Sequence, residues 1–522
     1  MHNFYFMKPF LTYTFFLSWI LIDNSFAQSG CTAQAEEEYK KVYSLVDKAR
    51  SFSKDGDYEQ EKKHAQESVN LSQKIQEKYK CFSPSAYWEL SNACSNLGDF
   101  AAALKHATNA DQFCETFKMI GCRCKSQSSF KIGTIYVAMG NDSMAMIEFK
   151  KAFDLCEKDG NKYMEAYILQ SKGDLDKKNN NVDLALNEYS TAEEIVRSIG
   201  EENEFSEFIL GRCYCSTASI FLQRGDCEVA LAKFLAALQL SEAVYDRKTI
   251  STCFYNVARI YNIKARYADA LKYYSDAVKI SDQMGYKKII VDSYFYMANI
   301  LDSQGDYEKA LKYASEALER ATKIEYKKGI VDAYNVLGLI KEHQNFDKDL
   351  MSNSKSALGI AKDISYTEGI ADAYNNIETY YEKKKEYKLA RQYATLALHV
   401  ADSVGHTMVV ADAYNDLGDI YLKYESKKDS ALVNYSLALK KATEGSYKTC
   451  GKYIEAMVDA YNKIAHIYKL KGKRDMAYEN YYHAIEIAKE ISYQDGICNA
   501  ENGIRAVKGY MPLECQSKKK LN

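Results

Sequence analysis

Along most of the chain, small and aromatic residues recur at positions i, i+4 and i+7. Examples are Ala103, Ala107, Ala110; Ala145, Phe149, Ala152; Ala185, Tyr189, Ala192; Ala270, Tyr274, Ala277; and Ala431, Tyr435, Ala438. That spacing puts three side chains on one stripe of an α-helix. Between the stripes lie segments that lead with apolar residues and reach a tyrosine: IIVDSY from Ile289, GIVDAY from Gly329, GIADAY from Gly369 and VADAY from Val410. Their tyrosines, Tyr294, Tyr334, Tyr374 and Tyr414, stand 40 residues apart. Two helical stripes per period predict an all-α, α-α superhelical solenoid of about eleven helix-turn-helix repeats, each burying its apolar face only against its neighbours. Two units are weaker, around Glu61, Ala65, Ser68 and around Leu350, Ser354, Ala357, and the segment Gly496 to Lys508 starts a first helix without a second, as a capping helix would.

The turns inside the repeats have their own signature: Gly56-Asp57-Tyr58, Gly98-Asp99-Phe100, Gly225-Asp226-Cys227 and Gly305-Asp306-Tyr307. Glycine supplies the left-handed conformation that ends one helix, and aspartate caps the next. Proline occurs three times in 522 residues, so little interrupts the helices. Regularity divides the mature chain into divergent, cysteine-rich repeats over 28–246 and regular 40-residue repeats over 247–493, followed by a capping helix and basic tail over 494–522. Composition adds little: 47% hydrophobic residues suffice for a core, and a net charge of -2 gives no general attraction to nucleic acid.

Residues 1–27 stand apart. Phe10 to Ile22 is an uncharged apolar run preceded by Lys8 and followed by Ser25-Phe26-Ala27. This predicts a signal peptide cleaved after Ala27 and an exported protein, periplasmic or secreted, with no membrane span remaining after cleavage.

The pattern Tyr414-x2-Leu417-Gly418-x2-Tyr421, followed by Ala431-x3-Tyr435, resembles the tetratricopeptide consensus W-x2-L-G-x2-Y then A-x3-F, with Tyr in the Trp place. Tyr461-x2-Ile464-Ala465-x2-Tyr468 fits the same frame. The 40-residue period and the missing helix-closing proline are similar to the long repeats of kinesin light chains and of bacterial Rap-type and sensor-kinase tetratricopeptide regions. The resemblance implies a right-handed superhelix whose first helices line a concave side.

Chemistry is sparse. The eight histidines form no HExxH or paired spacing, and no phosphate loop or nucleophile elbow is present, so neither an enzyme nor a cofactor or metal site is expected. His64 and His106, in the same place of neighbouring units, read as polar residues on an exposed face. Ten of the 14 cysteines fall between Cys81 and Cys253. Cys94, Cys114, Cys156, Cys213 and Cys253 sit at helical core spacings and read as small hydrophobes. Cys81, Cys122 and Cys124 fall between units, where export would allow a disulfide joining Cys81 to Cys122 or Cys124.

One polar pattern remains. Asp332, Asp372, Asp412 and Asp459 are each followed three residues later by Asn335, Asn375, Asn415 and Asn462, a spacing that shares one helical face. Asparagine both donates and accepts, so such a row can bond a peptide backbone, and the aspartates favour basic groups. The expected function is a non-enzymatic scaffold that binds a protein or extended peptide, not nucleic acid, on the concave face. The alternative is a sensory or regulatory tetratricopeptide module of a signalling system whose output domain is encoded elsewhere or lost.

Overall fold

The computed structural model describes residues 33–511 apart from 56–57, 80–83, 117–122, 201–202, 285, 345, 406, 449–453 and 491–492. The expected signal peptide at 1–27, the Gly56-Asp57 turn, Cys81, Cys122 and the tail beyond 511 lie outside the described residues. The described residues form 23 helices and no strand. They make eleven helical hairpins and a last single helix, and the chain separates into two compact units, 1–217 with 239–247, and 218–238 with 248–522.

In the first unit α1 (Ala33–Asp55) pairs with α2 (Tyr58–Tyr79), α3 (Ser85–Asn96) with α4 (Phe100–Thr116), α5 (Arg123–Ala138) with α6 (Asp142–Asp159), and α7 (Lys162–Lys178) with α8 (Val182–Ile199). The fifth hairpin, α9 (Glu204–Arg224) and α10 (Cys227–Ala243), is divided between the units. The second unit continues with α11 (Arg247–Ile263), α12 (Tyr267–Met284), α13 (Lys287–Ser303), α14 (Tyr307–Lys323), α15 (Lys327–His343) and α16 (Asp347–Asp363). After these come α17 (Thr367–Lys383), α18 (Tyr387–Ser403), α19 (Thr407–Lys423), α20 (Lys428–Lys448), α21 (Ile454–Leu470), α22 (Arg474–Glu490) and the capping helix α23 (Gln494–Lys508).

Every predicted stripe is buried, including the two weak ones: Glu61, Ala65 and Ser68 are as inaccessible as Leu350, Ser354 and Ala357. Apart from Tyr39 on α1, the largest fully buried rings belong to the second helices, Phe149, Tyr189, Phe234, Tyr274 and Tyr435, each contributing about 2–3 kcal/mol through burial. Glycine in the partner helix makes room for them. A Cβ on Gly173 would lie 2.6 Å from the Tyr189 ring, and one on Gly133 would lie 2.7 Å from Phe149. The residue after that glycine follows the ring's chemistry. Asp174 accepts from the Tyr189 hydroxyl at 2.7 Å and Asp419 from Tyr435 at 2.5 Å, whereas Phe149, with no hydroxyl, faces a helix carrying Thr134 there. The first-helix tyrosines Tyr294, Tyr334, Tyr374 and Tyr414 are only partly buried, packed at the core margin.

The turns form as predicted where described. Gly98, Gly225 and Gly305 have φ of 81°, 87° and 80°, and Asp99 and Asp306 accept from the backbone N–H groups of Ala102 and Lys309. Cys94, Cys156, Cys213 and Cys253 are buried and form no disulfide, as their spacing implied. Cys114 departs from that reading. It forms a disulfide with Cys124, Cα atoms 5.8 Å apart, because the end of α4 and the start of α5 meet at the same edge of the first unit. The bridge therefore ties consecutive helices together, and Cys124 has no thiol left for Cys81. His64 and His106 also differ from expectation. Both are half-buried, His64 stacking on Phe52 at 5.3 Å and His106 lying 6.3 Å from Tyr87.

Candidate binding groove

In the second unit a short motif precedes three first helices: Tyr326-x-x-Gly329, Tyr366-x-x-Gly369 and Tyr493-x-x-Gly496. The tyrosine sits at the helix N-cap and its ring lies flat on the glycine. A Cβ on Gly369 would meet Tyr366 at 2.5 Å and Val331 of the preceding unit at 2.6 Å, so only glycine fits between ring and neighbour. The tyrosine hydroxyl then reaches back 34 residues to an aspartate: Tyr326 donates to Asp292, Tyr366 to Asp332, and Tyr493 to Asp459 at 3.3 Å. The asparagine three residues beyond that aspartate completes the joint. The Asn335 amide donates to the Gly369 carbonyl at 3.3 Å, and Asn462 to that of Gly496 at 3.2 Å. Asn376 adds a bond to the Asn335 carbonyl at 3.0 Å.

This changes the expected picture of the Asp/Asn row. Asn335 and Asn415 are only 5% exposed, and two of the four asparagines spend an amide N–H on the next unit. They are joints between repeats as well as surface. The reason is geometric: positions i and i+3 of a first helix face the N-terminus of the following first helix, whose leading carbonyl and N-cap side chain need partners. The Oδ1 atoms of Asn335, Asn375, Asn415 and Asn462 are buried and accept no hydrogen bond.

First helices α11, α13, α15, α17 and α19 line a groove of about 680 Å³ in this unit. It gathers Asp332, Asn335, Asp372, Asn375 and Asp412 from the predicted row; Asn415, Asp459 and Asn462 lie beyond it. The row continues past Asp332 to Asp292, although Phe295 replaces the asparagine there, and Tyr255, Tyr296, Tyr326 and Tyr366 add aromatic faces. Pattern reading passed over these residues. For Asp292, Tyr326 and Tyr366 the signal is the Tyr-x-x-Gly motif 34 residues after Asp292 and after Asp332.

Five carboxylates, Asp292, Asp332, Glu368, Asp372 and Asp412, line the groove against one cation, Lys328. Burial raises Asp292 to about 6, opposed by Lys328 and the Tyr326 hydroxyl. It raises Asp332 to about 7 against Lys328 and Tyr366, and Asp412 to about 7 against Lys463. Beside the groove's end, Glu378 (2% exposed) is pushed up by burial and by the charge of Asp416, and Asp416 by burial and by the charge of Asp412, against Lys463. Five acids and one base leave an excess of four carboxylates, each a hydrogen-bond acceptor when ionised.

The tetratricopeptide repeat description matches residues 126–159, 210–283, 291–323 and 458–491. This is a tetratricopeptide-repeat protein. The matches fall on hairpins of both units, and the paired helices, buried Ala-x3-aromatic stripes and facing glycines are the family's architecture as this chain builds it. Similar solved structures include a Rap protein complexed with competence and sporulation factor, at 16% identity over 71% of this chain and 99% of that one, TM-score 0.49. Aspartyl phosphate phosphatase F from Bacillus subtilis is 14% identical over 71% and 95%, TM-score 0.42, and yeast Tom70 is 13% identical over 90% and 96%, TM-score 0.38. No curated protein matches. Among the described residues no helix is long and apolar enough to cross a membrane.

Proposed function

We propose that this tetratricopeptide-repeat protein is a non-enzymatic scaffold that holds an extended polypeptide segment in the groove of its second unit. The observation that carries the reading is the lining itself. Five successive first helices present aromatic faces, carboxylates and amides along one trough, an arrangement that suits a chain running past repeat after repeat. The carboxylate excess disfavours a phosphate backbone as occupant. The Cys114–Cys124 disulfide and the signal-like residues 1–27 support a role outside the reducing cytoplasm. The test is selection of peptides from a display library on the immobilised full chain, then rebinding to an Asn299→Trp variant that fills the groove. Selected peptides are expected to lose at least tenfold in affinity. Equal binding by parent and variant would remove the groove as the binding face.

A further inference from the structure

The groove changes character along its length, and one repeat position shows the change. At intervals of 40 residues that position reads Tyr255, Phe295, Asn335, Asn375 and Asn415 in α11, α13, α15, α17 and α19, and all but Asn415 line the trough. Among the described residues, the rings that the helices themselves bring to the lining are Tyr255, Tyr267, Phe295 and Tyr296, from α11, α12 and α13, where Ile263 and Ile300 join them. Tyr255, Phe295 and Tyr296 are half-buried, so each keeps a surface open to contact. They are also braced from behind. The Tyr296 ring stacks on the wholly buried Tyr274 at 5.6 Å and stands edge-on to Phe295 at 5.0 Å. Its hydroxyl accepts from Arg259, which itself lies over the Tyr255 ring at 5.8 Å. Rings fixed in this way have little freedom left to lose when a ligand arrives.

On the reading that the groove holds a polypeptide, we infer that the α11–α13 end of the trough is an anchor subsite for an aromatic side chain of that polypeptide. The charges at this end are already matched: Asp292 accepts from Tyr326 and faces Lys328, Arg259 and Lys288. A cationic side chain would therefore enter beside three cations, and an acidic one beside Asp292. A neutral ring instead meets ring faces and edges and buries its whole surface. An aliphatic side chain gains the burial without the edge-to-face contact. Beyond α13 the same position turns to asparagine, so the anchoring residue stands at one end of the bound stretch and sets the register in which the chain runs along the repeats.

Four labelled twelve-residue peptides of identical Gly/Ser background test this, their two central residues being Phe, Leu, Lys or Gln, titrated by fluorescence anisotropy on the full chain. The phenylalanine peptide is expected to bind about tenfold more tightly than the glutamine and lysine peptides, through burial of a ring, and about threefold more tightly than the leucine peptide, through ring–ring contact. Ile263→Lys, on the half-exposed groove wall, and Phe295→Asn, which gives α13 the residue of α15, should each bring the phenylalanine peptide down to the affinity of the glutamine peptide. Melting curves identify a variant that fails to fold, and the other then decides. Peptides that bind equally, or a lysine peptide that binds best, all blocked by Asn299→Trp, would overturn the aromatic subsite while leaving the groove. A phenylalanine preference untouched by Ile263→Lys and Phe295→Asn would put the aromatic contact elsewhere on the surface and overturn the site. Indifference of every peptide to Asn299→Trp, or no binding by any of them, would bring down the groove reading itself.

Discussion

The two units bury charge in opposite ways. In the first, Arg50 on α1 bonds Glu89 on α3 at 2.5 Å, and Lys131 on α5 donates to Asn92 at 3.0 Å while its charge bears on Glu89. Burial alone would raise the Glu89 carboxyl, but Arg50 and Lys131 together bring it below its ordinary range. Three consecutive first helices therefore share a balanced network. In the second unit the corresponding side carries carboxylates in surplus, and burial holds several of them high. The same repeat can thus present a face that is electrically closed or one that is open. A closed face has nothing left to recruit, whereas an open one gains from any cation that enters.

Breaking the closed network should have the largest effect. Glu89→Gln removes the carboxylate that Arg50 bonds and whose charge bears on Lys131, leaving Arg50 to Asp47 at 3.6 Å, and loss of one partner from a buried network costs about 3–5 kcal/mol. Hydrogen exchange should show opening of α1 to α5 with the second unit unaffected. Protection that stayed uniform across both units would mean the network is not the support claimed for it.

A smaller and opposite effect belongs to the open face. A carboxyl raised in the folded state contributes stability that is complete below its unfolded value near 4 and is lost as pH climbs through 6–7. Asp292, Asp332 and Asp412 therefore favour the second unit in mild acid. Glu89, lowered on folding, works in the reverse sense: its contribution is present above about 4.5 and is lost as pH falls further. Asp412→Asn should stabilise the second unit by about 1–2 kcal/mol at pH 8, after allowance for solvent screening, and by almost nothing at pH 4. Urea melts at the two pH values measure the difference; a variant equally altered at both would remove burial of that charge as the cause.

The smallest effect concerns the joints. Asn335→Ala deletes the bond to the Gly369 carbonyl and should cost about 1 kcal/mol, localised to α15 and α17. Asn375→Ala, for which the next unit offers Val409 in the glycine place, should cost less. Equal losses at both sites would separate the asparagines from the Tyr-x-x-Gly partners assigned to them.

The helical fold was legible because a stripe at i, i+4 and i+7, most often built of alanine and an aromatic, repeats in every unit, and a buried stripe is a local pattern. The capping helix and the glycine turns were legible for the same reason. The Asp/Asn row was visible as spacing, but its partners were not. Asp332 meets Tyr366 and Asn335 meets Gly369, each 34 residues on, and a period of 40 directs attention to equivalent positions instead of to this offset. Cys114 failed for another reason. Its helical register suits a core thiol, and only the edge where α4 and α5 converge puts it beside Cys124.

The Tyr-x-x-Gly joint also bears on how such an array can change length. A unit such as 329–368 begins at the glycine that receives the tyrosine ring and ends two residues past the next tyrosine, so it carries a socket, Asp332 with Asn335, and a plug, Tyr366. Excising those forty residues would splice Lys328 to Gly369, leaving Tyr326 three residues before a glycine and still opposite Asp292. Duplicating them would be equally seamless. Ancestral gain or loss of whole units along this stretch needs no new interface, whereas the steps at Val409 and at the longer spacing before Ile454 interrupt that grammar and hold their neighbours in fixed order.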